Sequence, residues 1–489
     1  MSGPAQAATL GGAGRVRLGP PVALLLAPVT CAVLLLAGQL AADPSLGRVV
    51  LAAAALTLLG TLAAAAPRVS LATLVVWLAA LGFLRRFMSG VSPFTAVDPL
   101  LLVGPAAMIL LLAVAILHGA LRRQDLLANG VLVLGAITVL GAFNPLQGGL
   151  LSGLAGLLFL LVPTLAFWIG RALCDDATLA ALLKLAAALA LAAAAYGLMQ
   201  TFRGLPSWDA AWAHQVISTY PALNVGVAGN IRPFSTFSSA AEYGYYLGLG
   251  LVIWLVSGVR SRRLLLTVAV IGFLGTALAY ESSRQVVFTL AIALALMGAA
   301  RLRLTLPKAI VAAAVALVAL PLAAAVVVPQ RFTSDSRSLL IAHQLRGLTH
   351  PFNAKYSTVT VHLTLVERGL RSALREPLGL GTGAVNLAGS RFGRAVQNTE
   401  ADPSNAAVAL GVPGLATYLV VVGVGLSRAF AAARRRQDAL GFAALGVLGV
   451  TLFQWLSGGH YSLAFLPWLV LGWVDAERTA NDDHRERAP

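Results

Sequence analysis

Apolar residues fill long blocks along nearly the whole chain, separated by short polar stretches. Predicted membrane spans lie near residues 21–42, 49–66, 69–84, 100–118, 126–143, 150–170, 177–200, 243–258, 264–280, 286–300, 308–328, 405–426, 440–456 and 460–475. Most come close to the roughly 20 residues that a helix needs to cross a hydrocarbon core of about 30 Å. Few show the water-facing stripe of a surface helix. Only helices and closed barrels satisfy the backbone in lipid, and the alternation of a barrel is absent. The pattern therefore predicts an all-α fold, a polytopic transmembrane helix bundle of roughly fourteen spans.

Two stretches interrupt the rhythm and predict long loops on one side of the membrane, residues 201–242 and 329–404. They divide the chain into N-terminal helices (1–200), a first extracytoplasmic loop (201–242) and central helices (243–328). A large extracytoplasmic loop (329–404), C-terminal helices (405–475) and a cytoplasmic tail (476–489) follow. Inside the large loop, Ser357 to Glu376 reads as a short amphipathic helix stopped by Pro377. Val359, Leu363, Val366, Leu370 and Leu374 share one face. Thr364, Arg368, Arg371 and Arg375 share another, about 130° further round. Such a helix lies against the membrane or the bundle and turns its arginines toward a cleft or solvent.

Composition supports the membrane reading: 58% of residues are hydrophobic and 11% charged, against about a quarter charged in soluble proteins. The net charge of +16 would suggest nucleic acid in a soluble protein. Here the cations sit in alternate short loops: Arg68, Arg122/Arg123, Arg171, Arg260/Arg262/Arg263, Arg301/Arg303/Lys308 and Arg428/Arg434/Arg435/Arg436. The positive-inside rule accounts for them without a nucleic-acid partner and puts both termini in the cytoplasm, the chain lying multi-pass in the cytoplasmic (inner) membrane. Arg85 and Arg86 fall on the wrong side of this scheme. The first apolar run, from Pro21, reads as an uncleaved anchor. Cys31 and Cys174 imply no disulfide framework.

Candidate chemistry centres on arginine at the outer boundary. Arg284 sits in Tyr280-Glu281-Ser282-Ser283-Arg284 between two spans, and Arg232 in Asn230-Ile231-Arg232-Pro233-Phe234-Ser235-Thr236-Phe237 before another. A guanidinium at membrane depth costs roughly 2.5–3.5 kcal/mol and usually faces a polar cavity. It also fits two phosphate oxygens in a fork. The plainer readings are snorkelling to headgroups or pairing with Glu242 or Glu281. Trp208, Trp212 and Tyr220 serve equally as sugar-stacking residues or as an interfacial belt. Gly379-Leu380-Gly381-Thr382-Gly383 reads as a turn or a phosphate nest. Glu400 and Asp402 form a weak divalent-cation signal; neither a metal nor another cofactor is expected.

The order of these motifs resembles the O-antigen ligase and polymerase family over residues 225–425. Ser282-Ser283-Arg284 opening a span is similar to its "SRG" motif, and Arg232-Pro233-Phe234-Ser235-Thr236-Phe237 to its "R-x-x-G-T-F". Pro377 to Gly383 is similar to its "P-x-x-G-x-G-x-G". Asn405, with Gly411-Val412-Pro413-Gly414 after it, is similar to its "HN…G-x-x-G".

The resemblance implies an enzyme on the outer face of the membrane. It would take a glycan from an undecaprenyl-diphosphate-linked oligosaccharide donor and pass it to a glycan or lipid acceptor. It also implies phosphate binding by Arg232 and Arg284, with Asn405 at the substrate. Arg368, Arg371 and Arg375 extend the cationic surface on periodicity alone, and Arg284 is also expected to act catalytically on the leaving group. One departure matters. The family places a histidine before that asparagine, and this chain has Ser404, which cannot be a general base near neutral pH. Asp402 is the first candidate for that role, then Glu400, then His343, His350 and His362. The competing expectation is a transporter or flippase of a lipid-linked or anionic solute.

Overall fold

The computed structural model describes residues 46–90, 98–122, 124–216, 231–258, 264–327, 336–386, 392, 399, 401–456 and 461–486. The predicted span at 21–42, Tyr220 and Glu400 lie outside them. Among the described residues the architecture is helical, without a sheet. The helices are α1 (Gly47–Ala65), α2 (Pro67–Phe87), α3 (Leu100–Leu117), α4 (Leu126–Gly141), α5 (Leu150–Leu160), α6 (Leu165–Leu173), α7 (Asp176–Arg203), α8 (Ser207–Val216) and α9 (Ala240–Gly258). There follow α10 (Leu264–Glu281), α11 (Arg284–Arg301), α12 (Leu306–Val327), α13 (Ser336–Thr349), α14 (Val359–Arg375), α15 (Asp402–Arg436), α16 (Ala439–Val450) and α17 (Tyr461–Glu486). Nine helical runs among the described residues are long and apolar enough to cross a membrane, α5 and α6 counting as one run; α4 and α16 are shorter apolar helices.

Local chemistry explains several boundaries. Asp125, Asp175 and Asp438 accept first-turn N–H groups at the starts of α4, α7 and α16, filling donors that a helix start leaves open. Small residues let backbones touch. A Cβ on Gly170 of α6 would stand 2.1 Å from the Leu469 carbonyl oxygen of α17, and one on Gly472 2.0 Å from that of Phe167.

α11 runs from Arg284 to Arg301, so these residues mark opposite ends of the bundle. At the Arg301 end, Asp475 is fully buried between Arg171 and Arg428, and Arg428 also meets Asp125 at 2.6 Å. Arg436 bridges Asp176 and Asp438. These cations belong to the loops predicted as basic.

At the other end, Arg85 and Arg86 have a structural explanation. Asp98 holds both Arg85, at 2.7 Å, and Arg48, at 2.8 Å. The fully buried Arg86 pairs with Asp209 at 2.6 Å and donates to the Phe237 and Ser235 carbonyls. Its guanidinium lies over the rings of Phe234 and Trp212. Trp212 is thus core, and Trp208 donates to Tyr196 Oη.

α15 is broken at Gly411, whose φ of 66° lies in the left-handed region. Pro413 has no N–H for the Ala409 carbonyl, and the Val412 N–H turns to the Pro377 carbonyl at 2.9 Å. Val408 and Ala409 would be left with orphaned carbonyls at membrane depth. The N–H groups of Leu380 and Gly381 fill them at 2.8 and 3.0 Å. The Gly379–Gly383 stretch therefore threads into the bundle: Thr382 Oγ1 donates to the Gly153 carbonyl, and the Gly383 N–H to Gln147. Non-helical backbone survives at such depth only where protein satisfies it. This run is packing rather than an open phosphate nest.

Candidate functional site

The site forms where α10, α11, α13 and α14 meet. α10 ends because Ser282 takes a left-handed φ of 67°, its N–H still bonded to the Leu278 carbonyl and its hydroxyl to that of Leu340. Such a conformation costs about 1–3 kcal/mol in a residue other than glycine and persists where surroundings impose it. After that turn, Arg284 is the first residue of α11.

Arg284 Nη1 donates to the Tyr356 carbonyl at 2.8 Å and the His343 carbonyl at 3.5 Å, and Nη2 to Thr358 Oγ1 at 3.4 Å. Thr358 in turn bonds His362 Nε2 at 2.9 Å. Thr358 precedes α14 and Arg284 opens α11, so two helix N-termini converge here, an arrangement that favours anions.

Arg232 arrives from a different stretch of chain. Its Nε donates to the Glu281 main-chain oxygen at 2.8 Å, and Nη2 to Glu281 Oε1. Of the two partners considered from sequence, Glu281 takes the arginine. Glu242 instead accepts from Ser462 and Ser238. Glu281 is fully buried, accepts the Ser283 N–H at 2.9 Å, and lies so near Gly244 that a Cβ there would reach Oε2 at 2.5 Å.

The Arg232 segment is held from below. The N–H groups of Phe234 and Ser235 donate to Gln200, Ser235 Oγ to the Ala193 carbonyl, and the Phe83 N–H to the Thr236 carbonyl. Arg86 grips two further carbonyls of the same segment.

Arg232 and Arg284 lie within electrostatic reach of one another. Both also act on His343: burial, then Arg284, then Arg232 hold its imidazole down to about 4. Partial desolvation and then Arg284 push the His362 imidazole down as well, although the residue is exposed at the surface. Fixed positive charge beside both rings therefore disfavours their protonated forms.

The remaining sequence candidates lie elsewhere. Asp402 is fully buried and accepts from Tyr418 Oη and the Leu456 N–H, each at 2.8 Å. Tyr245 stands within electrostatic reach of both Asp402 and Glu281. Asn405 Oδ1 accepts from the Thr399 N–H and hydroxyl at 2.8 and 2.9 Å, fastening the loop to the start of α15. Arg368, Arg371 and Arg375 are exposed, and at about 100° per residue they point 120–180° away from His362 round α14. The structure does not bring them to Arg284. His350 is exposed and bonds Thr349. Glu400 is outside the described residues, among which no three His, Cys, Asp or Glu side chains converge as a metal set.

Sequence reasoning missed Gly347 and Thr358. Gly347 allows Arg284 to lie flat on α13, and a lone glycine inside that helix was its signal. Thr358 had no signal of its own. No known protein-family model matches the chain, and no curated protein matches it significantly.

Proposed function

We propose that the chain is a membrane glycosyltransferase that transfers or polymerises glycans from a lipid-linked diphosphate donor. In this reading it crosses the cytoplasmic membrane roughly fourteen times, with both termini inside and the arginine cleft outside. The observation that carries the reading is the convergence of Arg232 and Arg284, from separate parts of the chain, beside His343 and His362.

In such a reaction the acceptor hydroxyl oxygen forms a bond to the anomeric carbon. The bond from that carbon to the phosphate oxygen breaks, and its electron pair stays on the departing diphosphate. Fixed cations at that oxygen lower the barrier; losing one such group typically costs about 2.7–4 kcal/mol. The acceptor's proton passes to a base. His343 and His362 stand beside Arg284, whereas Asp402 is engaged with Tyr418, so an imidazole takes the base role once the donor's diphosphate offsets the arginines that disfavour its protonation.

The test is Arg284→Ala in proteoliposomes with donor and acceptor. Transfer is expected to fall by about 10²-fold or more, at unchanged abundance. Undiminished transfer by that variant defeats the assignment. Movement of labelled donor across the bilayer without acceptor would make the chain a carrier instead.

A further inference from the structure

We infer that α14 is an interfacial helix whose partner is a leaflet of anionic lipid. Its leucine ridge sits in the acyl region and its arginine face on phosphate headgroups. The inference is independent of the proposed transfer reaction.

Three sides of α14 have three different fates. Gly369 and Ala373 are buried. Gly369 packs so closely on the start of α15 that a Cβ there would meet Ser404 Cβ at 2.8 Å. A second side carries Leu363, Val366, Leu370 and Leu374, which with Glu367 and Arg371 line a shallow open hollow of about 370 Å³. Leu374 is 80% exposed and Leu378, just beyond the helix, 77%. The third side carries Arg368, Arg371 and Arg375.

The exposed Glu367–Arg371 ion pair, at 2.5 Å, edges the ridge and leaves its leucines bare, and water is a poor neighbour for them: large exposed apolar patches mark contact surfaces. Depth identifies the occupant. The Pro377 carbonyl, immediately after the helix, accepts the Val412 N–H of α15. Val412 is 46% exposed within a run apolar enough to span a membrane. Leu374 and Leu378 therefore continue the apolar surface that α15 presents to lipid. The next residues, Leu380 and Gly381, pair with the carbonyls of Val408 and Ala409 inside the bundle. An apolar ridge flanked by arginines at this level matches a helix lying in the headgroup boundary of an anionic leaflet.

The experiment uses the full chain in nanodiscs of equal parts phosphatidylglycerol and phosphatidylcholine. Nitroxides are placed one at a time by Leu363→Cys, Leu370→Cys or Arg368→Cys in a Cys31→Ala, Cys174→Ala background. The two ridge labels should relax faster with dissolved oxygen than with a water-soluble nickel chelate, and the Arg368 label the reverse. Ridge labels open to the chelate overturn the proposal. So do ridge labels shielded from both reagents, which would mean that protein, such as a second copy of the chain, covers the ridge. In a second arm, R368Q/R371Q/R375Q should lower the ratio of phosphatidylglycerol to phosphatidylcholine retained on detergent extraction by at least about fivefold. An unchanged ratio overturns the role given to the arginines.

Discussion

The guanidinium of Arg284 lies flat on the backbone of Gly347: a Cβ added there would stand 1.8 Å from Nη1 and 2.7 Å from Cδ and Cζ. The clash is with a flexible side chain and not with main chain. Gly347→Ala should therefore fold and insert normally while pushing Arg284 aside. A displacement of about 1 Å at a reacting centre can cost 10²-fold in rate. Expected are wild-type abundance, near wild-type thermal stability and a loss of transfer of that order. Full activity would show that the position of Arg284 is not critical.

Asp209 anchors the segment that carries Arg232 from a distance. It accepts from Arg86 Nε at 2.6 Å, Gln200 Nε2 at 2.7 Å and Tyr196 Oη at 2.8 Å. Arg86 and Gln200 in turn hold the segment that carries Arg232. Asp209→Asn keeps the shape but leaves a buried cation without its counter-charge, which costs about 3–5 kcal/mol. The variant should unfold at clearly lower temperature in detergent. A thermal midpoint equal to wild type would show that the pair contributes nothing to holding the loop.

His343 gives a pH dependence of definite sign. Its ordinary value of 6.5 is held down to about 4, first by burial and then by Arg284 and Arg232. Below about 6.5 the unfolded chain takes up a proton that the folded site refuses. Stability from this residue is therefore complete above pH 6.5 and is lost as pH falls toward 4. The thermal midpoint of His343→Gln should accordingly fall less steeply than wild type between those limits. Inorganic pyrophosphate bound beside the two arginines would offset their charge and raise the imidazole part of the way, the effect of burial remaining. Binding between pH 4 and 6 should then take up a fraction of a proton, measurable by calorimetry in buffers of different ionisation enthalpy, and His343→Gln should reduce that uptake.

The helical class and most helix positions were legible in the sequence, because length, apolarity and charge placement act locally; Arg232 and Arg284 were singled out there, and the structure brings them near one another. The partner of Arg232 was legible as an alternative, and the structure selects Glu281 over Glu242. Asp402 was chosen for its closeness in sequence to Ser404, yet Tyr418 and the Leu456 N–H, 16 and 54 residues away, occupy it. Periodicity placed Arg368, Arg371 and Arg375 on one face correctly, but which face meets the bundle was decided by Gly369 and Ala373. The small residues made the contact, and the leucines were left outside. The sequence left open whether the leucine face met the membrane or the bundle, and it does not meet the bundle.

The break in α15 carries the last prediction. Gly411 combines a left-handed φ with a close approach: a Cβ there would stand 2.0 Å from the Pro377 carbonyl oxygen, which is main chain and cannot swing away. Gly411→Ala should straighten or expel the break and strand Leu380 and Gly381 without their acceptors. It should give little folded protein, read as loss of a monodisperse peak in detergent. Pro413→Ala is the contrasting case. It restores an N–H that could bond the Ala409 carbonyl, in competition with Gly381, but leaves the Gly411 turn intact. That variant should fold, with faster hydrogen exchange at Gly381 than wild type as the threaded segment loosens. Normal yield from Gly411→Ala would mean that the left-handed turn is not what keeps the segment inside the bundle.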